Sequence, residues 1–104
     1  MADTAMIEID PYIIDVLMRD LVGHDRRPAS FLVYLWLATE AEQRGSEVQI
    51  GYRELAENVG ISKSAAQSAV RWLIKRRLLS AKKNNATALP TYKTLFPWKG
   101  RAQR

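Results

Sequence analysis

No cysteine occurs anywhere in the chain. Disulfides, thiolate zinc sites, iron–sulfur clusters and a cysteine nucleophile are excluded with it. Histidine occurs once, as His24. A zinc site would have to be built almost wholly from carboxylates, so neither a metal nor a cofactor is expected. No stretch approaches the run of about 18 apolar residues that a membrane span needs, so no membrane partner is expected. Residues 1–10 hold three acids and no base, so no signal peptide is expected there. The expected location is the cytoplasm.

The most telling absence is acid in the second half. From Met1 to Glu57 there are five Lys/Arg and eleven Asp/Glu; from Asn58 to Arg104 there are eleven Lys/Arg and no acid. The halves carry −6 and +11, which make the +5 of the whole chain. Such a half presents a positive field to an anionic partner, and nucleic acid is the commonest one. The plainer reading is a solubilising surface that happens to be basic. The remaining composition is that of one ordinary globular domain: 104 residues, 47% hydrophobic, 26% charged.

Asp10-Pro11 opens the first helix, with Asp10 as cap and Pro11 at the first helical position. Ile13, Ile14, Leu17, Met18 and Leu21 follow at the spacing of one helix face, and Gly23 offers a terminator. Residues 23–28 read as a polar loop. Ser30 is placed to cap a second helix that runs to about Arg44 and stops at Gly45. The turns Phe31-Leu32-Val33-Tyr34-Leu35-Trp36-Leu37-Ala38 are apolar on every side, so they require burial on every side. Either the first helix packs on it or a second subunit does; the second makes Phe31, Tyr34, Leu35 and Trp36 the candidate dimer interface.

Val48 and Ile50 mark a short strand, and Tyr52 to Asn58 a short helix. Gly60 then allows a tight turn and Ser62 caps a helix from Lys63 to about Arg77. Leu78–Lys83 and Thr87–Leu95 read as two strands turned at Asn84-Asn85, with Pro90 assigning the second strand to a sheet edge. Trp98, beside Pro97, is expected to anchor the basic tail, which frays at its end.

On a helical wheel of the Lys63–Arg77 segment, Ala66, Ala69, Val70, Leu73 and Ile74 share the inner face. Ser64, Gln67, Ser68, Arg71 and Lys75 share the outer one, which has no acid and no large apolar group. Hydroxyl, amide and guanidinium groups hydrogen-bond base edges and phosphates, and an α-helix fits the major groove. The helix start at Ser62-Lys63-Ser64 offers free backbone N–H groups to a phosphate. Trp72 lies on the flank, where packing against the wing or tail is expected. Lys75-Arg76-Arg77 lies at the far end of the helix, where phosphate positioning is expected rather than base reading.

The run Tyr52-Arg53-Glu54-Leu55-Ala56-Glu57-Asn58-Val59-Gly60-Ile61-Ser62-Lys63-Ser64 is similar to the "LA…GIS…" core of helix-turn-helix proteins. Its continuation, Ala66…Ala69-Val70-Arg71-Trp72-Leu73…Leu78-Leu79, resembles the third helix and first wing strand of winged helix-turn-helix regulators. The resemblance covers roughly Ser30 to Leu95. It departs at Arg77, where many members have Gly. It implies that Lys63, Ser64, Gln67, Ser68 and Arg71 read bases or clasp phosphates. It places Arg53 on phosphates, and Lys82, Lys83, Asn84 and Asn85 in a wing beside the flanking groove.

The expected fold is therefore mainly α with a small β-wing: a three-helix core and two-stranded wing over 29–95, an N-terminal helix within 1–28, and a tail over 96–104. The expected function is sequence-specific binding of double-stranded DNA, as a homodimeric transcriptional regulator. The DNA-contacting set is Arg53, Ser62, Lys63, Ser64, Gln67, Ser68, Arg71, Lys75, Lys82, Lys83, Asn84 and Asn85. Competing readings are a winged-helix protein–protein module and a replication-initiation or architectural DNA binder. An enzyme is not expected: His24 and Asp25 are adjacent, without a supporting nucleophile.

Overall fold

The computed structural model describes residues 6–102. Helix α1 spans residues 11–24, followed by α2 (Pro28–Arg44), β1 (Val48–Gln49), α3 (Tyr52–Val59), α4 (Lys63–Lys75), β2 (Leu79–Lys82), β3 (Thr91–Thr94) and α5 (Pro97–Ala102). Helices α2, α3 and α4 pack on one another, and the strands form one antiparallel sheet in the order β1-β3-β2. This is a winged helix: a three-helix core with a β2–β3 wing, preceded by an added helix.

Helix α1 begins as its sequence requires, with Asp10 Oδ1 accepting the Tyr12 N–H at 2.9 Å. It then winds more widely than an α-helix. The Met18 N–H reaches Ile13 O, and Asp25 N–H reaches Asp20 O, each five residues back. Residues four apart therefore align. Ile13, Leu17 and Leu21 form a buried line, while Ile14, Met18 and Val22 form a second line about 40% exposed. The single five-residue face expected from a 3.6 period is split in two. Gly23 does not end the helix, which runs to His24.

Helix α2 starts at Pro28, with Arg27 at the cap position, so Ser30 is not the cap. Its side chain is buried in the second half-turn and donates to Ala69 O of α4 at 3.5 Å. Small residues at this crossing, Ser30 with Ala66 and Ala69, let the two helices approach closely. Phe31 and Tyr34 are buried within the chain itself, and so are Val33 and Leu37. The chain's own α1, α4 and sheet pack on α2, so Phe31 and Tyr34 are not available to a second copy. Leu35 and Trp36 are half-buried, and Leu32 is 45% exposed. Gly45 closes the helix at φ +94°, in the left-handed region that favours glycine.

The helix-turn-helix forms as its residues dictate. Gly60 ends α3 at φ +89°, with its N–H on Ala56 O. Ser62 Oγ then accepts the Ala65 N–H at 3.0 Å and starts α4. Inward from these helices come Leu55, Ala56, Ala66, Ala69, Val70 and Leu73. Ile74, expected on the inner face, is 41% exposed.

The end of α4 shows why the chain tolerates Arg77. The helix stops at Lys75, two residues before the expected boundary. Arg77 then adopts φ +60°, and the Leu78 N–H closes on Leu73 O at 2.9 Å. That is the C-terminal cap in which glycine is usual, here formed by an L residue at a conformational cost.

The expected short strand at Val48 forms as β1 and joins the two-stranded wing through Val48↔Tyr92 and Gln49↔Thr91. Two expectations about the sheet need correction. Strand β3 is central rather than an edge. Pro90 lies just before it, where no ladder N–H is needed, and its carbonyl accepts the Ile50 N–H at 3.2 Å. Asn84 and Asn85 lie in the connection as expected, but the connection is longer than expected, because the second strand starts only at Thr91. Residues 83–90 connect the strands, with Asn85 Oδ1 accepting from Thr87 N and Thr87 Oγ1 at 3.0 Å.

The tail is anchored as expected. The Trp98 ring stacks on Tyr12 at 4.3 Å, and its Nε1 donates to Asp10 Oδ2 at 3.1 Å. Phe96 meets Tyr34 edge-on, and Tyr34 Oη donates to Leu95 O at 2.7 Å. The terminal residues expected to fray lie outside the described residues.

Candidate nucleic-acid interface

Helix α4 presents the outer face anticipated from its periodicity. Lys63, Ser64, Ser68, Arg71 and Lys75 are exposed, and Gln67 is half-buried between them. Ser62 is also exposed, but its hydroxyl already serves as the cap and lies 3.3 Å from Ser64 Oγ. Of the outward residues of α4, Ser68, Arg71 and Lys75 line one cleft and Lys63 lines a second; Ser64 and Gln67 line neither.

The first cleft faces the α1–α2 junction. Ser68, Arg71, Trp72 and Lys75 line it together with Arg27, around a space of about 250 Å³. The Arg27 guanidinium stacks over the Trp72 ring at 4.4 Å, and Lys75 Nζ lies over the same ring at 5.4 Å. Two cations thus lie over one aromatic ring, and the Arg71 side chain and the Ser68 hydroxyl line the same cleft. Arg27 was missed in the sequence, where it falls in a polar loop of the acidic half. The signal available was the Arg26-Arg27 pair directly before a helix-opening proline.

Trp72 does not pack on the wing or the tail, as expected, but on this junction. Its Nε1 donates to Asp25 Oδ2 at 2.9 Å. Arg76 Nη1 donates to both Asp25 oxygens, at 3.0 and 3.1 Å. Arg76 is therefore committed to an internal ion pair and departs from the phosphate-positioning role expected of Lys75-Arg76-Arg77. Burial by itself would raise the Asp25 carboxyl. Hydrogen bonds from His24 and Trp72, with the Arg76 charge, outweigh it and hold the carboxyl below the ordinary Asp range. The junction that carries Arg27 is thereby pinned to the far end of α4.

The second cleft lies between α4 and the wing. Arg53, Lys63, Lys82 and Lys83 line a groove of about 650 Å³. Its floor includes Val70, Ile74 and Tyr92. Arg53 Nε lies 4.0 Å from Glu57 Oε2, one turn along its own exposed helix face. Asn84 and Asn85 are exposed at the wing tip. Asn85 is occupied in holding its own turn, and Lys83 Nζ reaches Ala86 O at 3.5 Å.

Among the described residues, no group of His, Asp and Glu is arranged to hold a metal ion, and no helix is long and apolar enough to cross a membrane.

No protein-family model matches the chain, and no curated protein matches it. Among solved structures, the crystal structure of the AntR antimony-specific transcriptional repressor is similar, at 21% sequence identity and a TM-score of 0.48. The match covers 96% of this chain and 79% of that one. At that level of identity and superposition, the likeness says nothing of what this chain binds.

Proposed function

We propose that this protein binds double-stranded DNA and reads a preferred sequence, as a transcriptional regulator. One observation carries the reading: an acid-free polar helix face with a cation-lined cleft on each side of it. A major groove is about 12 Å wide and admits one α-helix. With α4 in the groove, Gln67, Ser68 and Arg71 meet base edges. The two phosphate backbones bordering the groove then run over the two clefts. Arg27 and Lys75 hold one backbone; Arg53, Lys63, Lys82 and Lys83 hold the other. Phosphate contacts set register and base contacts set sequence.

We further propose a homodimer, since one recognition helix reads few base pairs and two-fold pairing doubles the site. Leu35 and Trp36 can border the contact, but its centre shifts to the outward line of α1, Ile14, Met18 and Val22, which no described segment covers.

Selection of bound duplexes from a random library tests the reading. It predicts an enriched two-fold sequence with half-sites about 34 Å apart, whose retention drops with Arg71→Ala or Gln67→Ala. Retention of duplexes without any enriched sequence would instead mark an architectural binder.

A further inference from the structure

The groove between α4 and the wing carries chemistry that a phosphate backbone does not use. Phosphates need its cations, but they have no use for an apolar floor. Ile74 and Leu89 are 41% and 50% exposed, and both line this groove. Beside them, Val70 and Tyr92 are buried in the core and close the floor from below. Two large aliphatic side chains are thus left open to water in one concave place. The rim is of one sign: Arg53, Lys63, Lys82 and Lys83, with no carboxylate among the lining residues.

A groove of about 650 Å³ falls in the size range of small-molecule sites, which are mostly apolar with a few convergent polar groups. The charge of the rim selects the sign of the ligand, and the floor selects its body. We propose that this groove binds a small amphipathic anion, an aromatic body bearing one carboxylate or sulfonate, and that the bound anion competes with DNA. The aromatic body covers Ile74 and Leu89. The anionic group takes the rim cations, which strengthens their attraction as water is displaced. The ligand then fills the space between α4 and the wing and neutralises charges that a duplex needs. By linkage, DNA weakens the anion as much as the anion weakens DNA. The competition rests on the DNA reading above; the binding of the anion does not.

The probe is 8-anilinonaphthalene-1-sulfonate, an aromatic sulfonate whose fluorescence rises on binding, titrated into the full chain without DNA. Saturable binding of one equivalent per chain is expected. It should weaken about tenfold in the double variant Lys63→Ala/Lys82→Ala and disappear with Ala81→Trp, which fills the groove. Leu32→Glu, on the exposed side of α2, should leave it unchanged. A neutral naphthylamine dye should bind far more weakly. Thermal melts check that each variant remains folded. The proposal is overturned if no saturable binding occurs, if binding follows Leu32→Glu and not the groove variants, or if the neutral dye binds equally. In a second arm, the sulfonate should lower the affinity for a fluorescent duplex. Unchanged duplex affinity at saturating sulfonate overturns the competition. A chain that binds the sulfonate in the groove but binds no duplex overturns the DNA reading and leaves the anion site standing.

Discussion

The Asp25 carboxylate accepts a hydrogen bond from the Trp72 indole at 2.9 Å across 47 residues of sequence, and holds Arg76 with its two oxygens. With its side chain only 3% exposed, Asp25 ties the α1–α2 junction to α4. Removing it leaves an indole N–H and a guanidinium without their shared acceptor. Asp25→Ala is expected to lower stability by about 2 kcal/mol, read as a fall in the urea midpoint. A midpoint equal to that of the unaltered protein would mean the link contributes nothing.

The same carboxylate, with Asp10, sets the acid limit of the fold. Both folded-state pKa values lie below the ordinary Asp range. For Asp10 the causes are hydrogen bonds from Trp98 and from the Tyr12 backbone, helped by the Lys99 charge. A depressed folded pKa means the unfolded chain binds the proton more readily. The stabilisation is therefore complete above the unfolded Asp pKa of about 3.9 and is lost as pH falls through the lower folded values. Melting temperatures should hold steady at neutral pH and fall below about pH 4. In Asp10→Asn/Asp25→Asn the curve should start lower at neutral pH and fall less steeply in acid.

Arg77 gives a prediction of opposite sign. At φ +60° an L side chain crowds its own carbonyl, and glycine does not. Arg77→Gly should raise stability by about 1 kcal/mol, while Arg77→Ala, which keeps the Cβ, should not. Differential scanning calorimetry of the two variants separates the effect of the backbone from that of lost charge.

Met18 lies at the centre of the outward line of α1. Sedimentation at micromolar concentration should give a dimer for the unaltered chain and a monomer for Met18→Glu. A monomer in both cases would remove the dimer from the account.

What could be read from the sequence, and what could not, divides along physical lines. The helix-turn-helix was legible because its signals are local: the Gly60 turn, the Ser62 cap and the alternation of Ala66, Ala69 and Val70 with Ser68 and Arg71 act over a few residues. The outer face of α4 was legible for the same reason. The face of helix α1 was misread because its spacing was taken at 3.6 residues per turn, whereas the helix winds more widely and leaves Ile14 and Met18 on the outside. Pro90 misled because its missing N–H matters only within a ladder, and it stands one residue short of one. Asp25, Trp72, Arg76 and Arg27 come together through tertiary packing, and no pattern along the chain announces it. The apolar helix Phe31–Ala38 was expected to be buried on every side, but only Phe31, Val33, Tyr34 and Leu37 are buried and Leu32 is 45% exposed; apolar composition alone does not tell which side faces the core.

The central claim is that this basic surface grips the phosphates of a duplex. It is tested most directly by fluorescence anisotropy of the purified protein with a random-sequence duplex across a salt series. Affinity should fall steeply with salt, with a log–log slope of several units from counterion release, and Arg27→Ala should reduce that slope by about 1. No binding even at about 50 mM salt, where phosphate contacts are strong, would contradict the account and point the basic half to an acidic protein instead.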